Sequence, residues 1–153
     1  MNRKKIIIVV AVVILGGVAL FLSQWFMPHR DVQNTAIDIH ITSKNLVAEY
    51  LQDASKANNK YLQAEGNSKV LAVSGKITSM EEDMKQQKVI YLASSSDAKV
   101  SCTFTVETNK DVANLKVGDQ VEVKGVIRSG ATYDEDLEMY EDVIMEKCAV
   151  LIK

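Results

Sequence analysis

The chain has 153 residues, 47% of them apolar, 25% charged and 6% aromatic, with a formal net charge of −2. That charge is unevenly spread: residues 1–30 hold four cations (Arg3, Lys4, Lys5, Arg30) and no acid, while 31–153 hold the other 14 Lys and Arg against all 20 acids, so the body stands at −6. An acidic, apolar-rich body with two cysteines excludes a basic nucleic-acid binder of the usual kind, an intrinsically disordered chain and a disulfide-dense miniprotein.

The first predicted element is the leader. Ile6 to Leu22 is an unbroken run of 17 apolar or Gly residues, followed by Ser23, Gln24, Trp25, Phe26, Met27 and Pro28. At ~1.5 Å per helical residue the run spans ~26 Å, and extension to Met27 gives ~33 Å, enough for a bilayer core of ~30 Å. Arg3, Lys4 and Lys5 precede it, so the positive-inside rule keeps residues 1–5 in the cytoplasm as a basic tail. Trp25 and Phe26 suit the far membrane interface, and Pro28 helps end the helix. Residues 6–27 therefore read as an uncleaved transmembrane signal anchor with the rest of the chain outside the cytoplasmic membrane. A cleaved secretory signal is the alternative: Gly17-Val18-Ala19 is the small-x-small triplet present, but it lies inside the apolar run. No Cys follows the run, which excludes a lipid-modified anchor.

Residues 28–41 read as a polar juxtamembrane tether, partly extended at Ile37, Ile39 and Ile41. Thr42 or Ser43 is a good N-cap for a helix over about 43–57, where Leu46, Val47, Tyr50, Leu51, Ala54 and Ala57 recur at helical spacing. Asn58-Asn59 stops it. From Ser68 the period changes to two. Leu71, Val73 and Ile77 share one face of a first strand that Gly75 interrupts. Lys88–Ala93 is a second strand. Val100, Cys102, Phe104 and Val106 alternate with Ser101, Thr103 and Thr105 in a third. Residues 108–116 read as a short helix, Val121–Arg128 as a fourth strand interrupted by Gly125, Ser129–Asp142 as a long loop, and Val143–Ile152 as the last strand.

Five strands with a helix between the third and fourth give the order of an OB-fold barrel, and the glycines at 75 and 125 suit strands that must coil sharply. The sequence here resembles the tRNA-anticodon-binding-like (tRNA_anti-like) family of bacterial OB-fold proteins. The resemblance runs from about Ser43 to Leu151. It is carried by Ala57-Asn58-Asn59-Lys60-Tyr61, Lys69–Ile77, Val100-Ser101-Cys102-Thr103-Phe104, Leu115–Gly125 and Glu146-Lys147-Cys148-Ala149-Val150. It implies a mainly β (α+β) five-stranded OB-fold domain over 42–153, with a preceding amphipathic helix. The family name implies nucleic-acid binding by analogy of fold, which does not fix function.

The chemistry of the body points elsewhere. Single-strand binding by an OB barrel wants a positive groove and stacking aromatics. Here Ser101, Thr103 and Thr105 face outward on the third strand, and Tyr91 is the one candidate sheet-face contact. The loop before the last strand holds Tyr133, Asp134, Glu135, Asp136, Glu138, Tyr140, Glu141 and Asp142, and its six carboxylates would repel phosphate. This loop reads as a partner-binding loop for a cationic partner, or for Ca²⁺ through oxygen ligands; the spacing and Gly of an EF-hand are missing, so no metal site is assigned. The competing reading is a solvated loop. Cys102 and Cys148 fall on neighbouring barrel strands and could form a disulfide in an oxidising compartment or remain small buried thiols. His29 and His40 have no partner at a ligand or dyad spacing, and no catalytic motif is present. The expectation is a non-catalytic OB-fold module without cofactor, tethered by a single span in the cytoplasmic (inner) membrane, its periplasmic domain binding a protein, peptide or glycan. The alternatives are a nucleic-acid-binding OB domain and a structural envelope domain.

Overall fold

A computed structural model describes Gly16, residues 31–62 and residues 68–152; residues 31–153 make one compact unit. The expected span over 6–27, with Trp25 and Phe26, lies outside the described residues apart from Gly16. Among the described residues no helix is long and apolar enough to cross a membrane.

The elements are β1 (Ile39–Thr42), α1 (Ser43–Gln52), α2 (Ala54–Tyr61), β2 (Val70–Glu82), β3 (Lys88–Leu92), β4 (Val100–Phe104), α3 (Asn109–Val112), β5 (Gln120–Ser129), β6 (Thr132–Asp134), β7 (Met139–Glu141) and β8 (Val143–Ile152). Five of the strands close a barrel in the order β2-β3-β4-β8-β5, with β5 returning to β2. The β4–β8 pair is parallel and the other barrel pairs are antiparallel. β2 makes closure possible by changing partners along its length. Val70–Lys76 pair with β5, and Ile77–Glu82 pair with β3. Its inner side chains Leu71, Val73 and Ile77 join Ile90, Leu92, Val100, Cys102, Phe104, Val121, Val123 and Met145 in one buried core. At Gly75 the chain must lack a Cβ, because one there would stand 2.5 Å from Ser43 Oγ at the start of α1.

The expected helix over 43–57 is two helices. Asp53 takes an extended conformation (φ −158°) and its carboxylate caps α2 by accepting the Lys56 N–H at 2.9 Å. The break re-aims the apolar stripe, so that Leu46, Val47 and Tyr50 from α1 and Ala57 and Tyr61 from α2 are all buried, while Ala54 is exposed. Asn58 and Asn59 lie within α2 rather than ending it. The expected helix over 108–116 is a single turn, α3, which supplies buried Val112.

The segment expected as a tether is folded onto the barrel from residue 31 onward. β1 adds a parallel strand beside the first half of β2, pairing Ile39 with Leu71 and Thr42 with Ser74. The Asp38 N–H donates to the Val70 carbonyl, and the Asp38 carboxylate accepts the Val70 N–H, each at 2.8 Å. Lys124, buried on β5, donates from Nζ to the carbonyls of Gln33 and Thr35. Gln33 Nε2 donates to the Lys147 carbonyl at 2.7 Å, and Val32 is buried. These residues account for an anomaly in β2: Val70 through Val73 are all buried, although the period of two predicts alternation. The folded domain thus begins near Asp31, not at residue 42.

The expected loop over 129–142 is a hairpin. β6 and β7 pair antiparallel, with Thr132 opposite Glu141, Tyr133 opposite Tyr140 and Asp134 opposite Met139.

Candidate functional site

Strand register aligns one row of outward side chains around the barrel. Ser79 pairs with Tyr91, Tyr91 with Ser101, Ser101 with Ile144, and Ile144 with Ser129. Tyr91, which the sequence offers as a sheet-face contact, is half-buried in this row. Its hydroxyl donates to Glu81 Oε2 at 3.3 Å, and Lys99 Nζ stands 5.9 Å from its ring centroid. Burial, then the Glu81 charge and hydrogen bond, push the Tyr91 phenol above its ordinary range.

The hairpin adjoins the Ile144 end of the row. Leu137, Met139 and Tyr140 line one concave surface together with Ile144 and Ser129. Tyr133 and Tyr140 face each other across β6 and β7, ring centroids 4.9 Å apart and planes inclined at 57°. The structure therefore brings Tyr91 and the acidic segment 133–142 to one side of the barrel.

The six carboxylates of that segment fall into two groups. Asp134 Oδ1 accepts the N–H of Asp136 and of Leu137, holding the hairpin turn, and Asp142 Oδ1 accepts the Lys99 N–H at 2.7 Å, fastening the base. The carboxylates of Glu135, Asp136, Glu138 and Glu141 have no hydrogen-bond or ion-pair partner among the described residues. Glu138 sits at φ 51°, in the left-handed region, where it closes the turn.

Cys102 and Cys148 are both free thiols buried in the core. Their strands pair, but the register sets Cys148 opposite Phe104 and Cys102 opposite Met145, with an irregularity between. Burial first, then the neighbouring Cys102, push the Cys148 thiol well up, so Cys148 sits as a neutral core group. His40 is exposed on β1, its Nδ1 3.1 Å from Glu122. Among the described residues no group of three His, Cys, Asp or Glu could hold a metal ion.

Sequence reasoning missed a second polar cluster, on the helical cap. Tyr61 is fully buried, yet its hydroxyl donates to Glu49 Oε2 at 2.6 Å, and Lys60 Nζ reaches both oxygens of the same carboxylate at 2.8 and 2.9 Å. Burial works to raise the Glu49 carboxyl, but the hydrogen bonds from Lys60 and Tyr61 outweigh it and hold the group below the ordinary glutamate range. The i, i+11 spacing of Glu49 and Lys60 only becomes a contact because the chain folds back at Asp53.

A closed five-stranded barrel with parallel third and fifth strands defines an OB fold. The chain belongs to the tRNA_anti-like family, whose model matches residues 1–135. A crystal structure of a Klebsiella pneumoniae lipoprotein, to which nucleic-acid binding is ascribed, superposes with a TM-score of 0.51 at 18% identity, covering 82% of this chain and 99% of that one. At that identity the likeness is one of fold. No curated protein matches the sequence.

Proposed function

We propose that this protein is a non-catalytic OB-fold binding module, tethered to the cytoplasmic membrane by residues 6–27 and presenting 31–153 on the outer side to a protein, peptide or glycan. One observation carries the binding role: the outward row through Tyr91 and Ile144 meets a hairpin with exposed apolar side chains and four unpartnered carboxylates. Contiguous exposed apolar surface of this kind marks an interaction site. The tether and its orientation rest on the apolar run and on the cations before it.

The second reading, nucleic-acid binding, has two supports. The Klebsiella neighbour is ascribed that activity, and Lys99 lies over the Tyr91 ring, a cation beside a stacking aromatic. Against it stand the body charge of −6 and the hairpin acids, which repel phosphate.

Two measurements test the reading. Protease added to cells whose outer envelope has been opened should digest the body while intact cells protect it; protection in both would end the export argument. The full chain in a non-ionic detergent should leave a single-stranded oligonucleotide free at moderate salt. Retention of the oligonucleotide would install the second reading.

A further inference from the structure

We infer that the β6–β7 hairpin docks a basic polypeptide segment of a partner protein, one in which Lys or Arg alternates with apolar residues. The inference rests on the proposal that this side of the barrel is the binding face, and it commits that face to one class of partner.

The hairpin is an uncovered element. Tyr133 is 46% exposed, Leu137 66%, Met139 53%, Tyr140 36% and the adjoining Ile144 38%. All three residues of β7 are exposed, so this outer strand of the hairpin packs neither of its faces on the barrel. A lone two-stranded ribbon is marginal in water. This one is held at its turn by Asp134, at its base by Asp142 and across its middle by the tyrosine pair. It keeps large apolar groups in solvent where a core could have taken them.

Charge decides what covers them. Residues 129–146 contain seven acids, counting Glu146, and no Lys or Arg. Glu146 is paired with Arg128 (2.7 Å), whereas Glu135, Asp136, Glu138 and Glu141 are not paired with anything described. A second copy of the chain would bring like charges together at this face. A nucleic acid or an anionic membrane surface would meet the same repulsion. A neutral glycan could stack on the tyrosines but would leave the carboxylates without a role. A basic segment uses both features, since guanidinium or ammonium groups pair with carboxylates and lie over tyrosine faces, while the intervening apolar residues cover Leu137, Met139 and Ile144.

The test uses the full chain in a non-ionic detergent and short synthetic peptides. The probe alternates Arg with Leu. One control replaces Arg by Glu; a second keeps Arg but replaces Leu by Ser. We expect the probe to bind at least about tenfold tighter than either control, a difference of ~1.4 kcal/mol. Tyr133→Ser with Tyr140→Ser, which leaves charge unchanged, should weaken the probe at least tenfold. So should the isosteric set Glu135→Gln, Asp136→Asn, Glu138→Gln and Glu141→Gln, and that loss should shrink as salt is raised. Far-ultraviolet circular dichroism and the melting temperature check that the barrel persists in each variant. Equal binding of the Arg-Ser peptide, or full retention by the tyrosine variant, would reduce the hairpin to a nonspecific polyanion and overturn the inference. Self-association that the hairpin variants abolish, or tight binding of a neutral oligosaccharide at the hairpin, would overturn it in favour of another occupant. Peptide binding untouched by every hairpin variant would sink this inference while leaving a binding module. The protease experiment bears on compartment alone, so the two failures are distinguishable.

Discussion

The molecule contains two tyrosine pairs, and they are put to opposite uses. On the helical cap, Tyr50 and Tyr61 lie 6.0 Å apart with planes at 33°, both buried. On the hairpin, Tyr133 and Tyr140 lie 4.9 Å apart at 57°, both open to solvent. The first pair belongs to a core that includes the barrel interior; the second belongs to an element with little core behind it. Removing a buried ring leaves a cavity and unpartnered groups, whereas removing an exposed one leaves water. The cap is packed into the core, whereas the hairpin leaves large apolar side chains in solvent. They meet at Gly130, just before β6, where an added Cβ would fall 2.0 Å from Tyr50 Cε1.

That junction gives the largest expected effect. Gly130→Val drives a branched side chain into a ring that is itself fully packed, and should cost about 3 kcal/mol, the upper part of the range for overpacking. Denaturant melts measure it. If the clash is with Tyr50, combining Gly130→Val with Tyr50→Ala should show a coupling of more than about 1 kcal/mol. Strict additivity would mean that the strain lies elsewhere.

Lys124 is next. Its ammonium group bonds two backbone carbonyls and has no carboxylate partner among the ion pairs described, so it acts as a fastener for residues 31–37. Lys124→Ala should cost about 2 kcal/mol, the scale of charged hydrogen bonds lost with their acceptors left behind. Hydrogen exchange should quicken over Asp38 and β1 before it quickens in the barrel. A uniform loss of protection would show that this segment is not a separable cover.

The cap also predicts the pH dependence of stability. Burial pushes the Tyr50 phenol up to about 12, with the Tyr61 and Glu49 charges adding to it. A group whose folded pKa is raised contributes stability that is complete below its unfolded pKa and lost as the pH climbs towards the folded value. The protein should therefore lose stability from about pH 10 upward. Glu49 has the opposite sign: its depressed carboxyl contributes above its unfolded pKa, and that contribution fades as the pH falls through the folded value. The Tyr50 hydroxyl is buried without a hydrogen-bond partner among the described residues. Tyr50→Phe should thus shrink the alkaline loss and leave neutral-pH stability unchanged or higher by up to about 1 kcal/mol. A marked destabilisation by Tyr50→Phe would require an unseen partner for that hydroxyl.

The contrast between cap and hairpin also explains what could be read from the residues alone. The five barrel strands were legible because alternation of the kind seen in Val100, Cys102 and Phe104 reports one buried face directly. Tyr91 was legible as an outward residue for the same reason. The cover over β2 was not: β1 pairs through backbone, Val32 is a lone apolar residue among polar ones, and Lys124 looks like any surface lysine until Gln33 and Thr35 arrive beside it. The break at Asp53 had one local sign, an Asp that can serve as N-cap, but it lies inside an apolar stripe, and the stripe dominated. The hairpin strands are three residues each and acidic, below the length at which a period can be recognised. Their one clear sign was the pair Tyr133 and Tyr140, set symmetrically about the turn. Joining Tyr91 to the hairpin needed the β4–β8 register, and that register contains an irregularity, close to Lys147 at φ 54°, that no spacing rule foresees.

The smallest effect on stability falls on the exposed pair, and it is the one that separates the two uses of tyrosine most sharply. Replacing both Tyr133 and Tyr140 by Ser removes a cross-strand aromatic contact, which is worth roughly 0.2–1 kcal/mol in a sheet. The hairpin adds little to the barrel core, so the global melt should move by no more than about 0.5 kcal/mol, as for other surface changes. Amide exchange within 132–141 should nevertheless rise, because the local ribbon has lost its middle contact. A loss of several kcal/mol would place the hairpin inside the cooperative core and remove the argument that its apolar surface is held in reserve for a partner. A silent melt with local loosening is the signature of an element kept for contact, in which ring area stabilises a complex and not the fold.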